Sequence, residues 1–237
     1  MALCIPGAAI DDDAARGLGH ATGTTAPPPP GFRLLLGSRP LLIFALCCAM
    51  FHLANAAMLP LAGQKLPLID PGLATSLMSV CIVAAQLVMV PMAMLVGARA
   101  DRWGRKPLFL AAIAILPLRG VLYTLSNDPY WLVAVQLLDG VGAGLFGALF
   151  PLVVADLTRG AGQFNLTQGA TTTAQGVGAS ASTALAGLIV VDAGYSAAFL
   201  ALAAVAAVAQ LLFWSAMPET LRRPAPAPLP ATARTRR

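Results

Sequence analysis

Apolar stretches long enough to cross a lipid bilayer recur along this chain, with only short polar breaks between them. About 20 residues of helix span the hydrocarbon core. Backbone polar groups inside that core must be satisfied within the protein, which leaves helices or closed barrels. A barrel reads as alternating segments of about 10 residues, whereas these stretches are continuous and rich in Ala, Leu and Gly. Of 237 residues, 58% are hydrophobic and 11% charged, with mean hydropathy +0.77. The sequence therefore predicts an all-α membrane protein with six transmembrane helices, at residues 40–61, 73–97, 107–125, 130–155, 166–191 and 195–217.

Proline and glycine punctuate the joins, at Pro67 with Pro71 and Gly72, at Asn127 to Pro129, and at Asp192 with Gly194. Residues 1–38 carry Asp11, Asp12, Asp13 and a proline run, and read as a disordered leader or linker. No basic stretch precedes their short apolar start, so a cleaved signal peptide is not expected. Residues 39–220 form the bundle and 221–237 a disordered basic tail. With six spans, Arg33, Arg39, the cluster Arg99, Arg102, Arg105 and Lys106, Arg159 and the tail arginines share one side, and Lys65 lies on the other. Cytoplasmic loops collect Lys and Arg. The expectation is a multi-pass protein of the plasma (inner) membrane with both termini cytoplasmic.

The net charge of +5 sits at the ends of apolar segments and forms no aromatic-interleaved patch, so no nucleic-acid partner is expected. Cys4, Cys47, Cys48 and Cys81 lack metal-ligand spacing, and no metal or cofactor is implied. Asn165 to Thr167 matches a glycosylation pattern at an expected cytoplasmic mouth and is set aside as chance.

Between the second and third spans runs Gly97-Ala-Arg-Ala-Asp101-Arg102-Trp-Gly104-Arg105-Lys106-Pro107. It resembles the G-x-x-x-D-R-x-G-R-K signature of the major facilitator superfamily at every defined position. A generic basic loop would explain the four cations but not Asp101 or the two glycines. Gly97 would permit close helix approach and Gly104 a tight turn. Asp101, favourable beside a helix N-terminus, would join Arg102 or Arg105 in a latch that holds one gate state. The resemblance covers roughly residues 39–220, one six-span half of such a transporter. The proline-rich leader and short basic tail favour the C-terminal half.

The resemblance implies that the first and fourth spans line a cavity, the second and fifth face another bundle, and the third and sixth lie outside. His52, Asn55, Gln136 and Asp139 are then the candidate substrate or proton pathway. Asp139 is an intramembrane carboxylate, at about +2.5 to +3.5 kcal/mol on insertion scales a functional candidate by default. Arg119 is its candidate ion-pair partner, and pairing and proton binding both remain open. For His52 the plainer role is a hydrogen-bonded packing residue. Gly140 and Gly144 would allow close backbone packing. The polar fifth span should face protein or a cavity.

The expected function is half-length secondary active transport of a small organic solute by alternating access, with proton-coupled efflux as one form. It implies as partners the lipid bilayer, a small-molecule substrate and a second six-span bundle, from a homodimer or a separately encoded half. The alternative is an inactive truncated fragment or a noncatalytic membrane interaction protein. An enzyme is not expected, since no serine-hydrolase, metalloprotease or paired-carboxylate pattern occurs.

Overall fold

The computed structural model describes residues 37–159 and 163–221, and among these it contains helices and no strand. The segments read as leader and tail fall, apart from their innermost residues, outside the described residues. In chain order the helices are α1 (Arg39–Asn55), α2 (Met58–Ile69), α3 (Ala74–Trp103), α4 (Arg105–Leu125), α5 (Pro129–Leu157) and α6 (Phe164–Ala216). Five helical stretches are long and apolar enough to cross a membrane: Arg39–Ile69, Ala74–Trp103, Arg105–Leu125, Pro129–Leu157 and Phe164–Ala216.

The first expected span is longer than its sequence boundary and is interrupted. Helix continues past Leu61 to Ile69, so Gln64, Lys65 and Pro67 lie inside α2, and Pro67 does not mark the join. The interruption at Ala56 and Ala57 sits one turn before Pro60. A proline ring collides with the carbonyl four residues upstream, here that of Ala56. The Ala57 N–H, turned out of the helical ladder, donates instead to Ser182 Oγ at 3.0 Å. After Ile69 the turn is closed by Asp70, whose carboxylate accepts from the N–H groups of Gly72 and Leu73.

The second expected span also extends, to Trp103, so Gly97 to Trp103 are helical and not loop. Gly104 alone separates α3 from α4, with φ 93° and ψ 159°, a region open mainly to glycine. Asp128 starts α5 as its N-cap, accepting from Tyr130 and Trp131 N–H, which satisfies donors otherwise orphaned at a helix start. In α6 the expected join at Asp192 and Gly194 shrinks to one residue, Gly194, with φ 83° and ψ 174°.

The two arms of α6 pack on different helices. The first lies parallel to α1, with Gly178 seated on Ala49 and Ser182 on Ala57. The second runs antiparallel to α4, where Tyr123 stacks on Phe199, Gly120 meets Ala203 and Phe109 stacks on Phe213. Helices α3 and α5 lie parallel, with Gly140 on Ala85 and Val88 and Gly144 on Met89 and Met92. Lipid offers no hydrophobic drive between helices, so close backbone packing of this kind holds the bundle. The expectation for Gly140 and Gly144 is met. Within this chain a Cβ at Gly97 would find nothing within 4 Å.

Two apolar clusters fill the interior. One gathers Phe44, Phe51, Phe109, Phe146 and Phe213, the other Met58, Leu66, Tyr123, Leu132 and Phe199. Polar residues stand between the two clusters on three of the segments that run from one to the other: Asn55 at the end of α1, Arg119 on α4, and Gln136 and Asp139 on α5.

A Cβ at Gly140 would run into the Ala85 carbonyl, whereas one at Gly147 meets nothing within 4 Å. Gly140→Ala is therefore expected to destabilise the detergent-solubilised protein by about 1–3 kcal/mol, and Gly147→Ala to leave it no less stable, with a gain of up to about 1 kcal/mol. Unfolding midpoints of the two variants compared with wild type check this.

Candidate functional site

The polar residues between the apolar clusters form one network around a buried cation. Arg119 has 0% exposure. Its Nη1 donates to Asn55 Oδ1 at 2.6 Å and to Asp139 Oδ1 at 2.6 Å, and its Nη2 donates to Gln136 Oε1 at 3.1 Å. Gln136 Nε2 returns a bond to Asp139 Oδ2 at 2.9 Å, and Tyr123 donates its hydroxyl to Gln136 Oε1. The Arg119 guanidinium also lies over the Tyr123 ring, 5.8 Å from its centroid.

Helical geometry explains the convergence. Arg119 and Tyr123 are one turn apart on α4, and Gln136 and Asp139 are neighbours on one face of α5. The hairpin through Ser126, Asn127 and Asp128 brings those faces together. Asn55 is the last residue of α1, next to the interruption and near the middle of the 31-residue run Arg39–Ile69. The pairing of Arg119 with Asp139 is observed. The carboxylate is the more accessible partner, with its side chain 20% exposed against 0% for Arg119.

His52 lies three residues before Asn55 on α1, yet its side chain does not join the network. Its Nδ1 is 3.0 Å from the Cys48 carbonyl. A carbonyl only accepts, so Nδ1 carries the proton and Nε2 is left as an acceptor. The ring meets Phe51 and Phe146 edge-on, the packing role read from the sequence. Lys65, buried in α2, donates to the Tyr123 carbonyl at 3.4 Å. Among the described residues no three His, Cys, Asp or Glu side chains gather to hold a metal ion.

The signature residues form a second cluster at the end of the bundle where α3 meets α4. Arg105 is buried and bonds Asp101 at 2.8 Å and Asp156 of α5 at 3.2 Å, and Asp156 also pairs with Arg159 at 3.1 Å. Asp101 thus partners Arg105. Arg102 is exposed and has no ion pair among the described residues. Asp101 does not occupy a helix N-terminus. That place belongs to Glu219, which accepts from Arg105 N–H at 2.9 Å and Lys106 N–H at 3.0 Å and so caps α4. A Cβ on Gly104 would meet this carboxylate at 2.6 Å and displace the cap, while the positive φ is what favours glycine at the turn. Lys106 Nζ donates to the Trp214 carbonyl at 2.7 Å.

Partial burial alone would push the Glu219 carboxyl up. The N–H groups of Leu221, Arg105, Lys106 and Thr220 outweigh it and hold the carboxyl below its ordinary 4.5. Sequence reasoning missed Tyr123, Asp156 and Glu219, and placed Ser182 against protein without naming its partner. Helical spacing from Arg119 points to Tyr123, but Glu219 stands 114 positions from the residue it caps and has no local signal.

Both clusters lie within a stretch that comparison with known proteins assigns to a class of membrane transporters. Residues 41–236 match the family model described as Major Facilitator Superfamily. The chain belongs to that superfamily. It is 58% identical over 219 residues to two proteins of Mycobacterium tuberculosis, from strains CDC 1551 / Oshkosh and ATCC 25618 / H37Rv, each described as an uncharacterized MFS-type transporter. The match covers 92% of this chain and 52% of each relative, so the chain spans about half the length of the curated relatives it matches.

Two outcomes are expected. Arg119→Met strands a carboxylate in the bundle and should cost about 3–5 kcal/mol. Adding Asp139→Asn should recover part of that loss, which a double-mutant cycle on unfolding free energies measures. For Glu219, a folded pKa below 4.5 means its stabilisation is present above pH 4.5 and is lost as pH falls through the lowered folded value. The excess stability of wild type over Glu219→Gln should shrink in that acid window and stay constant above it, as followed by thermal unfolding against pH.

Proposed function

We propose that this chain forms one six-span bundle of a secondary active transporter that moves a small organic solute by alternating access. In this reading the two arms of α6 are separate crossings. A continuous helix of 53 residues would be about 80 Å long, against a hydrocarbon core of about 30 Å, and its break at Gly194 supports the division. The basic residues then give both termini a cytoplasmic placement.

The network around Arg119 is the observation that carries the proposal. It joins α1, α4 and α5 where α1 is interrupted, and transporter sites are typically built at discontinuous helices near the bilayer midplane. Asp139 is its accessible charge, with Asn55 and Gln136 beside it as polar contacts for solute or proton. His52 offers Nε2 to the same pathway. The latch is Asp101, Arg105 and Asp156, with Gly104 and Lys106 fixing its turn and Gly97 and Arg102 flanking it. Helix α3 supports a second bundle as partner: 17% of its most apolar stretch is buried, against 39–50% for the others.

The test is flux of a panel of organic solutes in proteoliposomes, with and without a pH gradient. It uses the chain alone and the chain paired with the remaining half of a mycobacterial relative. Gradient-driven flux that Asp139→Asn abolishes is the expected result. Flux absent from both preparations, in protein shown to be folded, overturns the reading.

A further inference from the structure

An open groove of about 500 Å³ lies between the start of α1, the start of α4 and the end of α6. Arg39 and Lys106 supply its charge, and Pro40, Ile43, Met217 and Pro218 supply apolar wall. The two cations come from different helices, so folding alone brings them to one groove.

Their charge is uncommitted. Among the described residues neither Arg39 nor Lys106 forms an ion pair. Lys106 Nζ spends one donor on the Trp214 carbonyl and keeps two of its three. Glu219, the carboxylate close by in the fold, is turned to the backbone N–H groups of Arg105, Lys106 and Leu221. The groove therefore favours an anion.

Its surroundings favour an anion with an apolar tail. Ser215 lines the groove, and Leu211 and Val208 continue the same face of α6, one and two turns along. Leu211 is 60% exposed and Val208 54%. Trp214, 64% exposed, stands at the border, where tryptophan is enriched in membrane proteins. We infer that the groove binds the phosphate-bearing headgroup of an anionic phospholipid, with the acyl chains lying along Leu211 and Val208. This rests on α1, α4 and α6 crossing the membrane and requires no transport activity.

The test is retention of added lipid by the purified full chain in detergent, read by native mass spectrometry with phosphatidylglycerol, phosphatidylcholine or inorganic phosphate as probe. Phosphatidylglycerol should be retained in preference to phosphatidylcholine, and inorganic phosphate should not displace it. Arg39→Gln and Lys106→Gln should each weaken its retention about fivefold. Arg159→Gln, which removes an exposed cation outside the groove, should leave it unchanged. Lys106 also supports the turn at Gly104, so Arg39→Gln, at an exposed side chain, carries the test if Lys106→Gln does not fold. Equal retention of the two lipids, an equal loss in Arg159→Gln and Arg39→Gln, or displacement by inorganic phosphate overturns the inference, the last by assigning the groove to soluble phosphate. Because no flux is measured, failure here is separate from failure of the transport proposal.

Discussion

A guanidinium enclosed among membrane helices must find its counter-charge and its acceptors within reach, because neither water nor lipid supplies them. Arg119 is that group here. It draws one acceptor from α1 and two from α5, and so sets how deep and at what rotation three helices meet. The apolar clusters on either side can pack in other arrangements at modest cost. The polar layer between them cannot, since any slip leaves a buried donor or carboxylate unpaired. Apolar packing gives the bundle cohesion, and the Arg119 layer gives it register.

The interruption of α1 belongs to the same logic. Pro60 breaks the ladder at Ala56 and Ala57, and Ser182 of α6 takes up the freed Ala57 N–H. The break stands next to Asn55, whose side chain is then free of a continuing helical turn and reaches Arg119 at 2.6 Å. A polar serine on the fifth apolar segment thereby has a structural task, and Thr167, Thr171 and Gln175 of the same stripe are buried with it. The opposite face of that arm remains exposed.

Much of this was legible beforehand. Apolar length located the helices, and the spacing of Asp101, Gly104 and Arg105 identified the family. The depth of Arg119 relative to Asp139 across a short hairpin made it a candidate partner, with pairing and proton binding both open. What was not legible depends on contacts between distant segments. Nothing local distinguishes Glu219 as a helix cap, and Asp156 and Ser182 acquire partners only when α5 and α6 are packed. The space beside Gly97 is open within this chain. Pro60 was a readable signal for the interrupted helix, masked by the hydropathy of the run that contains it.

The Glu219 cap has a consequence for biosynthesis. Helix α4 leaves the ribosome long before Glu219 is made, 114 positions after Arg105, so its first N–H groups wait uncapped until that residue has emerged. Closure of the Gly104 turn then reports that α6 has returned to the side of the bundle where α4 began.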